Sequence, residues 1–426
     1  MKILVVHNTY QQPGGEDVVF EQELQLLQRM GHQVTTYVRS NWEIETYSPL
    51  QRLGLVAKIV WATDTRKEFI ELLRQERPDV VHVHNTFVMI SPSIYSACGE
   101  AGVPVVQTLH NYRLICPGAT LFRNGHVCEE CIQHTLLRSV RYGCYRGSRP
   151  GTALTAVMLA THRQLQTMTK NVDCFIALTQ FSRNKFIEGG LPAEKIAVKP
   201  NFVYPDPCSR TSDGDRALFV GRLSPEKRVS TLLDAWKLLC SPIPLDIIGG
   251  GPQQSELLSL ASLLKLPGVQ FKGTLPRAQT LAAMSEARFL VFCSEWYENF
   301  PCTIAEAFAC RTPVICSRMG AMAEIVEDGR TGLHFTTGDA ADLASKVEWA
   351  WSHPKQMREM GEEARKEYET KYTAEKNYPI LMDIYERAIS GNSDVQHAPN
   401  PALVGRDASG TFAASGYLQK QTLDKL

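Results

Sequence analysis

Short runs of β-branched and apolar residues alternate with longer stretches of helical period from the first residue to about Trp351. Such alternation predicts right-handed βαβ units building parallel sheets. Residues 2–7 read as the first strand. Residues 17–30 follow as a helix with Phe20, Leu24 and Leu27 at i, i+4 and i+7 on one face, and Gly31 stops it. Val34, Thr36 and Val38 then alternate as a second strand. Residues 79–84, 103–109, 174–178 and 196–200 read as further strands, separated by helices such as 66–75 and one that Ser91 caps and Pro92 begins. Beyond Pro200 the pattern lapses into turn formers over 204–215, which places a domain boundary there. A second alternating series follows, with strands at 217–221, 245–249, 269–271, 289–293 and 313–317. The chain therefore reads as α/β, two doubly wound halves. Residues 346–389 read as helices, the last carrying an apolar stripe of Ile380, Leu381, Ile384 and Tyr385. From Gly391 onward Ser, Asn, Pro, Gly and Ala dominate, which predicts a disordered tail over 391–426.

Composition narrows the function classes. The 426 residues hold 45 Lys plus Arg against 45 Asp plus Glu, and 44% are apolar, an ordinary globular balance that excludes a disordered chain. A net charge of zero argues against a general nucleic-acid binder, which needs a basic surface to neutralise phosphates. The start of the chain shows no signal-peptide pattern, so a cytoplasmic protein with reduced thiols is expected. The longest nearly apolar stretch, 153–160, falls far short of the ~20 residues of a spanning helix.

Two carboxylates stand eight residues apart in Ser294-Glu-Trp-Tyr-Glu298-Asn-Phe-Pro-Cys-Thr-Ile-Ala-Glu306, where a strand ends, a loop follows and a helix starts near Pro301. Glu298 lies at the carboxyl end of a strand, where open α/β sheets bind ligands, and Glu306 lies about two turns into the helix. Read singly, each is equally a solvated charge. A second motif, Phe219-Val-Gly221-Arg222-Leu-Ser-Pro-Glu-Lys227-Arg228, joins a strand, a glycine turn and cations before a helix. Arg and Lys placed so can stabilise negative charge growing on a leaving diphosphate without a metal. Ile247-Ile-Gly-Gly250-Gly-Pro adds another glycine turn after a strand, allowing close backbone approach to a nucleotide. In the first half, Pro13-Gly14-Gly15-Glu16 joins the first strand to the first helix and offers backbone N–H groups to an anion or a sugar. His110 closes the strand over 103–109.

The Glu298-x7-Glu306 pair in its strand, loop, helix, strand setting, with Gly221-Arg222-Leu-x-x-x-Lys227, resembles the retaining glycosyltransferases of family 4 over roughly residues 1–390. The resemblance implies the GT-B fold, two facing Rossmann-like domains. It assigns Glu298 to the hydroxyls of the donor sugar, Glu306 to the nucleotide ribose, Arg222 and Lys227 to the pyrophosphate, and His110 to the neighbourhood of the donor sugar. Gly14, Gly15, Gly250, Asn299 and Phe300 join the donor-binding set. Where the family often has Gly-Phe-Gly, this chain has Asn299-Phe300-Pro301, and Pro301 has no N–H to offer.

Other features lie outside that resemblance. Cys116-x11-Cys128-x2-Cys131-x12-Cys144 fits a tetrahedral structural zinc or, equally, unligated buried thiols. His82 and His84 alternate on one strand face like a metal pair, but no third ligand is evident from the sequence. Residues 132–172 carry Arg138, Arg141, Arg146, Arg149, Arg163 and Lys170 and no Asp or Glu, which reads as a surface meeting anionic lipid or, equally, as a solvated basic face or one binding an acidic acceptor. Asp213-Gly-Asp215 imitates a metal motif but lies in the linker.

The expectation is thus an acceptor-side domain over 1–203 with a Cys-rich insertion at 112–150, a nucleotide-sugar domain over 204–372, and a helix over 373–390 returning to the first domain. The expected activity is a retaining glycosyl transfer that requires no metal or other cofactor. A sugar would move from a nucleoside diphosphate to a hydroxyl of a polysaccharide or lipid-linked glycan, at the inner face of the membrane. The rivals are a nucleotide-sugar epimerase or hydrolase on the same architecture, and a zinc-stapled nucleic-acid-binding protein.

Overall fold

The computed structural model describes residues 1–11, 14–207 and 214–396. In the first half β1 (Lys2–Thr9), β2 (Gln33–Ser40), β3 (Val80–Val83) and β4 (Val105–Thr108) are followed by a small hairpin of β5 (Phe122–Arg123) and β6 (His126–Val127), then β7 (Cys174–Ala177) and β8 (Ile196–Val198). The six long strands pair all parallel in the order β2-β1-β3-β4-β7-β8, with Ile3 opposite both Val34 and Val80. The second half repeats the plan with β9 (Ala217–Val220), β10 (Leu245–Ile248), β11 (Val269–Gly273), β12 (Phe289–Phe292), β13 (Val314–Ser317) and β14 (Gly332–Phe335), in the order β11-β10-β9-β12-β13-β14. Strands such as β3, β4, β10 and β12 are buried at every position because helices cover both faces of each sheet. That is why β12 reads as an unbroken apolar run and why the polar residues inside the others, His82, Gln107, Thr108 and Asp246, are buried as well. Strand order reverses between β1 and β3 and between β9 and β12, and crevices outside the carboxyl ends of strands open at such reversals.

The chain leaves the second half through the helix Pro354–Lys371 and returns to the first. Its last helix, Ala374–Gln396, lays Leu381, Ile384 and Tyr385 against the first sheet, fully buried, and Tyr385 Oη meets His82 Nδ1 at 2.7 Å. One buried cluster accordingly joins Ile3 and Val106, Ile304 and Phe308, and Leu381 and Tyr385. The halves are also tied directly. The Glu324 carboxylate accepts from the backbone N–H groups of Gln180 and Phe181 at 2.8 and 2.7 Å, at the start of the helix Gln180–Glu188. An anion there complements the unsatisfied first-turn donors.

Two expectations change. The last helix runs on past Gly391 to Gln396, so the expected tail does not begin at 391; residues 397–426 lie outside the described residues. The helix expected to start at Pro92 is Ser93–Ala101, with Pro92 as its N-cap. Ser91 instead adopts a left-handed φ of 63° and uses its hydroxyl to accept from the N–H groups of Ala62 and Ser93.

Candidate functional site

In the second half the candidate residues gather beyond β9 and β12. Glu298 is buried, not a solvated loop charge. Its Oε1 lies 2.5 Å from Lys227 Nζ and accepts from the Ser294 hydroxyl at 2.9 Å. Lys227 also sits 5.0 Å from the centre of the Phe292 ring. Cation and carboxylate thus hold each other largely out of bulk solvent, where charges interact strongly. Arg222 is the more open cation, bonded to Glu226 at 2.7 Å. Glu306, the fifth residue of the helix Cys302–Ala309 and so just over one turn in, accepts from Arg277 Nε at 3.1 Å. Burial raises its pKa although Arg277 opposes the shift.

The glycine turns also have packing roles. A Cβ on Gly249, whose φ is 139°, would stand 1.9 Å from Gly221 O, and one on Gly251 2.4 Å from Leu223 O. These two let the loops after β9 and β10 touch each other; Gly250 stands between them, beside Thr274. Gly14 is exposed, but its N–H already donates to Asp17 Oδ2 at 2.7 Å, so that donor is not bare as expected. Gly15 opens the helix Gly15–Arg29 with open space around it. Asn299 accepts at its carbonyl from Thr179 Oγ1 of the first half at 3.2 Å. Phe300 is packed edge-on against Tyr372, ring centres 5.6 Å apart, and belongs to the buried cluster.

His110 stands half-buried at the end of β4, in the first half. Its Nε2 lies 2.9 Å from His84 Nδ1. Behind it Glu23 reaches His84 Nε2 at 3.3 Å and His82 Nδ1 at 3.0 Å with one oxygen, and Lys199 Nζ at 2.9 Å with the other. Burial pulls the Glu23 carboxyl upward, but Lys199 and His82 pull it further down, well below the usual range. Burial lowers the His84 pKa to about 4, and burial with His84 holds His110 neutral. Glu23 is thus the third partner that the sequence did not reveal for the His82, His84 pair, and these three have ligand-capable atoms within 4.8 Å of one another. They fit a cation poorly: Lys199 already neutralises the carboxylate, and both His82 nitrogens are engaged, by Tyr385 Oη and by Thr108 Oγ1.

The Cys-rich insertion reaches the second half. At the tip of the β5-β6 hairpin, Gly125 O accepts from Arg228 Nη2 at 2.7 Å, while Arg228 pairs with Glu295 and Lys185 with Glu129. Cys116, Cys128, Cys131 and Cys144 are neighbours: burial, then Cys116, Cys144 and Cys128, push the Cys131 thiol up to about 12. Among the described residues no three of these sulfurs come mutually within 4.8 Å. The donor set suits zinc by its chemistry, four soft thiolates with a Cys-x2-Cys turn. Asp215 is exposed and paired with Arg216, and Asp213 lies outside the described residues. Leu137, Val157 and Leu165 are exposed beside the basic residues of 132–172, although Arg138 is spent on Glu130 and Arg163 on Leu114 O. No described helix is long and apolar enough to cross a membrane.

Sequence reasoning missed Arg277 and Glu16. Arg277 follows Gly273-Thr-Leu-Pro at the end of β11, a strand-end turn that could have flagged it. Glu16 accepts from Asn111 Nδ2 at 3.2 Å, and burial and Asp17 push its carboxyl up to about 8. No periodic signal marks it.

The family described as Glycosyltransferase Family 4 matches residues 13–206, and that described as Glycosyl transferases group 1 matches 209–367. The chain is 30% identical over 360 residues to the N-acetyl-alpha-D-glucosaminyl L-malate synthase of Bacillus anthracis, 83% of each chain. It is 31% identical over 180 residues to the D-rhamnosyltransferase WbpZ of Pseudomonas aeruginosa, 40% of this chain and 47% of that one, so it spans about half the length of that relative. Among solved structures, the Anabaena protein HepE in complex with UDP-glucose superposes with a TM-score of 0.63 at 20% identity, covering 92% of this chain and all of the other.

Proposed function

From the premise that the chain belongs to glycosyltransferase family 4, with the GT-B fold, we propose that it is a retaining transferase acting without a catalytic metal. It moves a sugar from a nucleoside diphosphate to a hydroxyl of a polysaccharide or lipid-linked glycan. The observation that carries the reading is the juxtaposition of Glu298 with Lys227, near Arg222, beyond the carboxyl ends of β9 and β12. A nucleoside diphosphate as donor is also in keeping with HepE, whose structures hold UDP and UDP-glucose.

An arriving donor would divide the pair. Lys227, helped by Arg222, takes the β-phosphate, and Glu298 turns to the sugar hydroxyls. Charge then grows on the phosphate as its bond to the anomeric carbon breaks, and Lys227 stabilises that charge most when it is fully formed. The acceptor oxygen bonds the same face of the anomeric carbon and its proton passes to the departing phosphate oxygen. Glu306, held by Arg277, meets the ribose. His110 and the Gly14-Gly15 turn face the sugar from the other domain. The four cysteines take a structural zinc that braces the hairpin against Arg228. The basic surface with exposed Leu137, Val157 and Leu165 meets anionic lipid, placing the enzyme at the inner face of the membrane.

Calorimetric affinity for nucleoside diphosphates, measured beside steady-state transfer on four variants, tests this. Glu306→Ala should lose about 1.5–3 kcal/mol of nucleoside diphosphate binding, the worth of a hydrogen bond to a charged group. Lys227→Ala and Arg222→Ala should lower turnover more than affinity. Glu298→Gln should spare diphosphate binding and impair transfer. Equal loss of diphosphate affinity in Glu298→Gln and Glu306→Ala, or normal transfer by Lys227→Ala, would overturn the placement. Release of free sugar at the same rate with and without acceptor would favour a hydrolase.

A further inference from the structure

The residues behind His110 form a file of polar groups closed off from water. Glu23 comes from the first helix, His82 and His84 from β3 and its end, Lys199 from the end of β8 and Tyr385 from the last helix; His7 of β1, paired with Asp17, presents an edge to His84 at 6.2 Å. Glycosyl transfer uses none of the groups behind His110, yet burying this many costs stability unless each is satisfied. The way they are satisfied has a direction.

A carboxylate can only accept, so with Glu23 ionised beside Lys199 the facing His84 Nε2 carries a hydrogen. The two are too poorly aligned for a hydrogen bond, and His82 Nδ1 stands nearer the same oxygen at 3.0 Å, but a bare lone pair on His84 Nε2 would face the carboxylate at 3.3 Å and be repelled, so electrostatics places the hydrogen there. A neutral imidazole has one N–H. His84 Nδ1 is therefore a bare lone pair, and the atom 2.9 Å from it, His110 Nε2, must donate. By the same rule His110 Nδ1 is bare. That atom has no protein partner among the described residues and belongs to a side chain half-open at the carboxyl end of β4.

We infer that Glu23 and His84 are positioning residues that lock His110 in the tautomer protonated on Nε2, so that it presents only an acceptor, Nδ1, to the interdomain crevice. The ligand this selects is a hydroxyl donating its hydrogen, and a sugar lacking that hydroxyl, or O-methylated there, is refused. That last step rests on the proposed donor site; the tautomer does not. The lock also runs through Tyr385 and, by way of Lys199, Asn377, so the last helix reaches the crevice through this file.

The test uses the full chain labelled with 15N-histidine. Long-range 1H–15N correlations report which ring nitrogen of each histidine carries hydrogen, and loss of one signal set in His110→Gln assigns His110. The expected result is a proton on Nε2 and no charging of the ring through the pH range in which an ordinary histidine, at ~6.5, titrates. In His84→Leu the tautomer should become mixed and the ring should titrate upward, giving the pH profile of kcat/KM a new acidic limb with roughly tenfold loss per pH unit. A wild-type His110 protonated on Nδ1, or charged at neutral pH, would overturn the inference, as would an unchanged tautomer in folded His84→Leu. If His84→Leu does not fold, the wild-type spectrum still decides. Absence of any transfer by the wild type would count against the functional reading alone, because the spectra need no substrate.

Discussion

Replacing Lys199 with Met should be among the most damaging single changes in the first domain. The side chains of Lys199 and Glu23 are 1% and 2% exposed, and the ammonium lies 2.9 Å from both Glu23 Oε2 and Asn377 Oδ1. Two unit charges at that spacing attract by roughly 5–6 kcal/mol at an effective dielectric constant of about 20. Methionine keeps the length of the stem but leaves the carboxylate buried without its cation, a change that costs about 3–5 kcal/mol where it has been measured. The exposed pair Lys355–Glu359 at 3.9 Å, by contrast, is worth about 0–1 kcal/mol. Urea unfolding followed by circular dichroism should show the loss, with a fall in melting temperature of about 2–4 °C per kcal/mol for a domain of this size. The dependence on pH gives a sharper check. In the native protein the Glu23 pKa lies well below its unfolded value of about 4.3, so its stabilisation is present above that pH and disappears as pH falls through the lower folded value. In Lys199→Met the sign reverses. The folded state gains by taking up a proton on Glu23 or a neighbouring histidine, so the deficit at about pH 8 should shrink by about pH 5.5. A loss under about 1 kcal/mol at pH 8, or a deficit that deepens with acid, would refute the reasoning.

Three further outcomes follow from other parts of the molecule. Gly249→Ala should destabilise the second domain by more than the ~1–3 kcal/mol of backbone strain alone, since its Cβ would meet Gly221 O at 1.9 Å, whereas Gly15→Ala, with open space around it, should leave the urea midpoint nearly unchanged. Deleting residues from 374 onward strips Leu381, Ile384 and Tyr385 from the core at about 1.5–3 kcal/mol each, against a total stability of about 5–15 kcal/mol; the truncated chain should be aggregated or unfolded on size-exclusion chromatography, and a folded, active product would contradict the packing. Metal analysis of the purified protein should give about one zinc, lost in Cys128→Ser/Cys131→Ser but kept in Cys174→Ser, and four freely alkylated thiols in a metal-free, folded protein would dismiss the site.

The order of elements was legible from the chain because burial on both faces of a parallel sheet writes apolar runs, and helices between them write a period of 3.6. The ends of β4, β9 and β12 could be marked as candidate ligand positions for the same reason, since His110, Gly221 and Glu298 lie shortly beyond those runs. The capping of one helix was misplaced by a residue because Ser91 and Pro92 satisfy the local rule for an N-cap and a first turn, while the Ala62 N–H, far away in sequence, draws the Ser91 hydroxyl elsewhere. Gly249 and Gly251 could be recognised as a turn, but not as the places where two loops touch. Partners distant along the chain were hidden altogether. Lys227 and Glu298 are 71 residues apart, Lys199 and Glu23 176, and His82 and Tyr385 303. Local propensity and periodicity act over a few residues, so they determine which segments become strands and which side chains lie at strand ends. Whether a charge there is solvated, paired or locked into one tautomer depends on what the folded chain brings within about 3 Å of it after water is excluded, and only the tertiary structure decides that.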